Sequence, residues 1–453
     1  MKARHVLLML AISVVILALA AACAPAPTPV PTTAPPTAAP AQPTTAPAQP
    51  TTAPPPTSAP TAASTAPPAT VAPKVGTPWK IGFISSATGG GASLGVPERD
   101  VANIVAAQLK AAGGIVGPDG VKHEVQILIN DDQSSADTAA TLARRLIDQD
   151  QVQVLVASTL TGTSLAIVPI ATEAKVPTIS MASSLDIIVD PKTKEVRTWI
   201  FKPVPGNNHS ADKQAEYLKA VGVTKVCDLY SNDSYGQDTF ASATASFTKA
   251  GIQIVYSDAF DPKATEFPQL AKVKSSGCDA VVIGAIPPGS SVMNVAVRDA
   301  LPNIRIIHGH GSCSADLVKQ AGKAAEGTVM PCGKILVADS LPDSDPAKAL
   351  DLKLIKDYTD YTKGTPISTF AGHAYDALQW ALVGLKALPD GGTLADQRAK
   401  VRDGIENGVK NFVTTHGLYT LSATDHLGFS GSEFAFVVVK DGKFVVLPKD
   451  QWK

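Results

Sequence analysis

KIGFIS at residues 80–85, HEVQILI at 123–129 and VQVLVA at 152–157 are short apolar runs separated by stretches with helical spacing. The first of those stretches covers 97–112 and the second runs through Leu142, Leu146 and Ile147. Brief apolar runs bounded by polar turns read as strands, and apolar residues returning every three or four positions read as helices. Strand, helix, strand, helix, strand implies a parallel sheet with right-handed crossovers. The alternation continues through VPTIS (176–180) and then starts afresh with KVCDLYS (225–231), a helix over 235–250, IQIVYSD, a helix to Ser276, CDAVVIG, another helix and IRIIHGH (304–310). Two consecutive units of about 120 residues each therefore follow one another, within the usual size range of a domain. After Gly327 come strand-like TVMP, helices over roughly 344–363, 369–388 and 394–408, and EFAFVVVKDGKFVVL, whose Asp441-Gly442 pair marks a hairpin turn.

The chain has 453 residues, 45% of them apolar, enough for two or three domains with sizeable cores. With 39 basic and 40 acidic residues the formal charge is −1, so no global field favours nucleic acid or an anionic membrane. Five cysteines without a CxxC pair exclude zinc ribbons and thioredoxin-like redox motifs.

The N-terminal region differs from the rest. Lys2, Arg4 and His5 precede an apolar run over 6–22 that is short for a bilayer span and ends in small residues, so 1–22 is expected to be a signal peptide. Leu19-Ala20-Ala21-Ala22-Cys23 resembles the lipobox of bacterial lipoproteins, which implies acylation of Cys23, although Ala20 stands where the usual large aliphatic would be. Residues 24–73 carry no charge and are rich in alanine, proline and threonine, a mixture with too little large apolar surface to repay ordering. Residues 23–77 are thus expected to be an extended, disordered linker, reaching on the order of 150 Å at about 3.1 Å per residue. The expected location is extracytoplasmic, anchored by lipid to the outer face of the cytoplasmic membrane.

From about 79 to 449 the chain resembles the leucine/isoleucine/valine-binding protein family, type I periplasmic binding proteins that serve branched-chain amino acid ABC importers. The resemblance rests on IGFISSATGGGASLG (81–95), NDDQSSADTAATLARRLID (130–148), LTGTS (160–164), VPTISMASS (176–184), SNDSYGQD (231–238), the 260–284 run, GKAAEGTVMP (322–331) and GHAYDAL (372–378), in that order. It implies two doubly wound α/β lobes with parallel sheets, joined by a three-crossing hinge near 202–205, 330–333 and 414–417. Lobe 1 would be 78–203 plus 333–415, and lobe 2 would be 204–332 plus 416–453. It further implies a ligand held between the lobes, and as partners a small carboxylate or amino acid, a membrane permease and ATPase subunits.

Thr161, Gly162 and Thr163 follow a strand and open a helix, where free N–H groups, hydroxyls and the helix dipole favour a carboxylate. The resemblance puts the ligand's carboxylate there, with Ser183 or Ser184 adding contacts and Tyr235 closing from lobe 2. The loop from Thr88 to Leu94, which includes Ser93, should wall the cleft, its glycines permitting close backbone approach. His310 stands where amino-acid-binding relatives carry the glutamate that pairs with the ligand's ammonium. A histidine supplies no negative charge, so an amine-free aromatic or branched acid is expected in place of leucine, isoleucine or valine. The alternative is that another acid, Asp233 or Asp186, does the pairing.

Two other chemistries fit fragments of the chain. Gly91-Ala92-Ser93-Leu94-Gly95 is literally GxSxG, and Asp376 and His416 follow in hydrolase order, but residues 86–90 separate the motif from the strand end where a nucleophile elbow needs its serine. The same glycines lack dinucleotide spacing. His308, His310, Cys313, Cys332 and His373 match no standard metal-ligand spacing. No catalytic residue, cofactor or metal is therefore expected, and a ligand-sensing lobe pair remains the alternative within the binding class. In an oxidising compartment Cys227, Cys278, Cys313 and Cys332 allow three pairings. Cys227 with Cys278 and Cys313 with Cys332 is favoured, since the type I fold places the first two on adjacent strands.

Overall fold

The structure, a computed structural model, describes residues 74–431 and 434–452. The expected signal peptide, Cys23 and the linker up to residue 73 lie outside the described residues. The last linker residues do not stay apart from the fold: Val75 bridges Lys122, and Gly76 N donates to Lys122 O at 2.9 Å.

In chain order the elements are β1 (Trp79–Ser85), α1 (Ala92–Ala111), β2 (Ile115–Val116), β3 (Lys122–His123), β4 (Val125–Asp131), α2 (Ala136–Asp148), β5 (Val154–Ala157), α3 (Thr161–Glu173), β6 (Thr178–Ile179) and β7 (Ile200–Phe201). They continue as α4 (Asn207–Ala220), β8 (Lys225–Ser231), α5 (Ser234–Ala250), β9 (Gln253–Phe260), α6 (Leu270–Ser275), β10 (Ala280–Gly284), α7 (Gly289–Ala300), β11 (Arg305–His308), α8 (Ala315–Ala321) and β12 (Val329–Cys332). The last are α9 (Lys348–Thr362), α10 (Thr369–Leu385), α11 (Leu394–Gly408), β13 (Phe412–Thr414), β14 (Gly417–Tyr419), β15 (Ala435–Lys440) and β16 (Lys443–Val446).

Two sheets result. The first has the order β4-β1-β5-β6-β7, parallel throughout, and the second β16-β15-β12-β11-β10-β8-β9, parallel except for β15 and β16. Their central strands are apolar because both faces are covered by helices; Ile81, Phe83 and Ile84 have no solvent exposure. In each sheet strand order reverses beside the first strand, β1 or β8, and the crevice at the carboxyl ends of such strands is where α/β folds bind ligands. Helix α10 is buried over nearly its whole length and joins the first core through Leu378, Trp380 and Leu385.

Three local features differ from the sequence reading. Helix α1 begins at Ala92, five residues before Pro97, so the proline sits in the second turn and not at the start. Its missing N–H leaves only the Ser93 carbonyl without a helical partner, a cost the packing of α1 against β1 offsets. The hairpin of β2 and β3, turning through Gly117–Gly120, was not visible as a periodic run because each strand is only two residues long. The first lobe, expected to end at 415, continues: Tyr419, Leu421, Leu427, Phe429 and Phe434 pack into the core built by 79–204, and the chain enters the second sheet only at β15.

Disulfides join Cys227 to Cys278 and Cys313 to Cys332, each with Cα atoms 5.7 Å apart. The first ties β8 to Cys278, two residues before β10; the second ties the turn after His310 to β12.

Candidate functional site

A narrow cavity of about 20 Å³ lies between the carboxyl ends of the two sheets. Its apolar wall comes from both lobes. Leu94, Leu160 and Phe370 on one side pack with Tyr235 and Ile286 on the other, in a cluster separate from either lobe's core. Thr161, Met181, Ser183, Val204, His310 and His373 also line it. A wider opening of about 320 Å³ adjoins it, sharing Leu160, Thr161, Tyr235 and Ile286 and lined further by Gly162, Thr163, Asp233 and Lys263.

Thr161 is the first residue of α3. The preceding Leu160 is extended and has no side-chain acceptor, so the first-turn N–H groups carry no side-chain cap. The Thr161 hydroxyl is buried without a partner. The Thr163 hydroxyl is committed internally, accepting from Leu160 N at 3.2 Å and contacting Ser158 Oγ at 3.0 Å. Beneath the helix start, Asp132 accepts from Ser86 Oγ at 2.7 Å, from Ser134 N at 2.9 Å and from Ser158 Oγ. Thr159 donates to Glu98, and burial holds the Glu98 carboxyl well above its usual range. Both carboxyl groups beneath the helix start are thus engaged by neighbouring hydroxyls and do not line the cavity.

Tyr235 enters through the turn that Asp233 caps, with Gly236 N donating to Asp233 Oδ1 at 2.8 Å. The phenol accepts from Gly311 N at 3.0 Å. A Cβ on Gly311 would stand 2.2 Å from the phenol oxygen, so a residue without a side chain is required there.

His310 follows β11 and is 2% exposed, with Nδ1 unpartnered. Burial, reinforced by Lys202, His416 and His209, pushes it down to about 3, so the ring is neutral. His373, on α10, has neither ring nitrogen bonded and is likewise held well below the usual range by burial. Its ring stacks on His416 with centroids 5.0 Å apart. The Nδ1 of His416 lies 3.3 Å from Asp376 Oδ2 and 3.1 Å from Thr415 Oγ1.

The structure therefore brings Thr161, Ser183, Tyr235 and His310 to the inner cavity, and Gly162 and Thr163 to its mouth. Ser184, Thr88 and Ser93 lie off it. Ser184 Oγ accepts from Asp186 N at 3.3 Å in the turn that follows. Thr88 donates to Asp131 at 2.7 Å. Ser93 points away because α1 starts early: its hydroxyl donates to Pro287 O across the lobes at 3.0 Å. Asp376 and His416 do form the pair a hydrolase needs, yet no hydrogen bond joins Ser93 to either among the described residues. Asp233 is occupied as a cap and by Ser231 Oγ at 2.9 Å. Among the described residues no three His, Cys, Asp or Glu side chains converge to hold a metal ion, and Cys313 and Cys332 are spent in a disulfide. Sequence reading missed Phe370, Val204 and Ile286 as wall residues, since each sits in a stretch whose apolar character reads equally well as core.

A family model described as periplasmic binding protein matches residues 78–443. An extracellular ligand-binding receptor from Rhodopseudomonas palustris HaA2 is 26% identical and superposes with a TM-score of 0.74, covering 82% of this chain and 99% of its own. A leucine-binding protein from Thermotoga maritima is 21% identical with a TM-score of 0.68, covering 82% of this chain and 98% of its own. Among curated relatives, an amino acid binding protein of Pseudomonas aeruginosa is 23% identical over 257 residues, 56% of this chain and 66% of that protein's length. No helix among the described residues is long and apolar enough to cross a membrane.

Proposed function

Since the chain belongs to the periplasmic binding protein family, we propose that it captures a small amine-free carboxylate, aromatic or branched, between its lobes and delivers it to the permease and ATPase subunits of an ABC importer. One observation carries the ligand class. The inner cavity is lined by the unpartnered Thr161 hydroxyl and the unpartnered nitrogens of neutral His310 and His373, and by no carboxylate. Buried polar atoms left without partners cost about 1–3 kcal/mol each, so a ligand that bonds them is strongly favoured. A carboxylate placed at the start of α3 meets uncapped N–H groups and the positive end of the helix dipole. An ammonium would meet no counter-charge, and a buried unpaired cation is expensive. The five-residue apolar cluster from both lobes matches a ligand with an apolar body, and contacts to both lobes are what a closing ligand needs.

On this reading the lobes hinge near 202–205, near 330–333 and near the start of β15, and acylated Cys23 with the charge-free segment after it holds the module near the membrane. Ser93 needs no nucleophilic part: its bond to Pro287 is a contact between closed lobes.

Deletion of the gene should abolish uptake of radiolabelled 4-methylpentanoate and 3-phenylpropanoate at micromolar concentration, and plasmid-borne protein should restore it. Uptake that continues unchanged would contradict an import role and leave sensing as the use of the same cavity.

A further inference from the structure

Lys202 follows β7 at the first lobe crossing and has no solvent exposure. Its ammonium carries three donors, yet makes one hydrogen bond, 2.5 Å to the carbonyl oxygen of Ser183, and forms no ion pair among the described residues. Ser183 lines the inner cavity, so the cation stands directly behind the cavity wall. Its main-chain N–H donates to His426 O at 3.1 Å, which fixes the residue between the 183 segment and the loop before β15. A buried cation without a partner is costly, and cavity walls normally avoid one.

We infer that Lys202 is the counter-charge for the anionic end of the ligand, acting through the Ser183 segment. The inference rests on the carboxylate reading above. The charged and titratable groups that interact with Lys202 are Asp238 on α5, His310 after β11 and His373 on α10, with Asp186, in the turn after Ser184, acting on Asp238. Asp238 is the acid of the group. It is already engaged, accepting from Asn207 Nδ2 and bonded by Ser184, and burial raises its carboxyl. The imidazoles of His310 and His373 are neutral. No other group in this shell is left to balance a carboxylate.

Burial brings Lys202 down to about 7, with Asp238 acting in the opposite sense. An anion in the cavity favours the charged form and raises that value. Below pH 7 the ammonium is charged with or without ligand, so this group gives no pH dependence. Above pH 7 the free protein has lost the proton and the complex regains it, so affinity for an acid falls by up to about tenfold per pH unit until the pKa of the complex is reached.

The test uses 4-methylpentanoate, 3-phenylpropanoate and their primary amides, titrated by calorimetry at pH 8 in phosphate and in Tris. In the wild-type protein the two buffers should give different binding heats, corresponding to uptake of close to one proton per acid and none per amide. K202M should lose at least tenfold in affinity for the acids, keep its amide affinity within about threefold, and take up no proton; K202R should retain the acid preference. Equal losses for acid and amide in K202M, or no buffer dependence in the wild type, would overturn the inference while leaving the carboxylate reading intact. A wild-type protein that binds neither acid would overturn both. Proton uptake is read on the wild-type protein, so a poorly folding K202M leaves the inference falsifiable.

Discussion

Replacing His310 with glutamate should weaken binding of an amine-free acid by at least 100-fold. His310 stands 2% exposed in the cavity wall with Nδ1 free to bond the ligand. A glutamate there puts a second negative charge, or a proton-hungry carboxyl, into a small apolar chamber already asked to take one carboxylate. Removing one side of a buried polar match and leaving an uncompensated charge costs about 3–5 kcal/mol, and each 1.4 kcal/mol is about tenfold in affinity. The same variant should gain measurable affinity for leucine or phenylalanine, whose ammonium now finds a partner. Calorimetry of H310E against acid and amino acid, with circular dichroism to confirm folding, reads both effects. Undiminished binding of the acid would place the ligand away from His310.

Replacing both Cys227 and Cys278 with alanine should lower the unfolding free energy by about 4 kcal/mol on the chain-entropy account, because the bridge closes a loop with a sequence separation of 51. Cys313 and Cys332, separated by 19, should contribute about 3 kcal/mol on the same account. The second pair has an additional effect. Cys313 N donates to His310 O at 3.0 Å, so this bridge ties the turn that presents the imidazole to β12. Its removal should therefore cost ligand affinity as well as stability, whereas loss of the first bridge, remote from the cavity, should leave affinity near the wild-type value. Urea unfolding with and without reductant measures the stabilities. Equal affinity losses from both double variants would contradict the distinction.

The parts of this architecture visible in the sequence are those that local physics determines. Alternating apolar runs located the strands, because strands covered on both faces cannot tolerate polar residues along them. Asp441-Gly442 located the final hairpin, since both residues adopt positive φ there. LTGTS and SNDSYG were legible as helix starts beside strand ends, and both border the cavity.

What stayed hidden depends on contacts distant in sequence. Lys202 reads as an ordinary lysine after a strand, and only its burial against Ser183 makes it part of the site. His373 lies within an apolar helix and reads as core; its place opposite His310 arises because α10 belongs to the first lobe while His310 follows a strand of the second. Ser93 seemed to face the cleft because a helix beginning at Pro97 would have left it in a loop. The residues from 417 to 431 carry no strong periodicity, so their return to the first core could not be read from spacing.

The central claim is a cavity built for a carboxylate without an amine, and matched ligand pairs test it most directly. Calorimetric titration of the purified protein with 4-methylpentanoate against leucine, and 3-phenylpropanoate against phenylalanine, varies the amine while holding the side chain. At least one acid should bind 100-fold or more tightly than its amino acid, corresponding to about 2.7 kcal/mol. Amino acids that bind as tightly as, or more tightly than, the matched acids would contradict the account and require a counter-charge for the ammonium that the cavity wall does not contain.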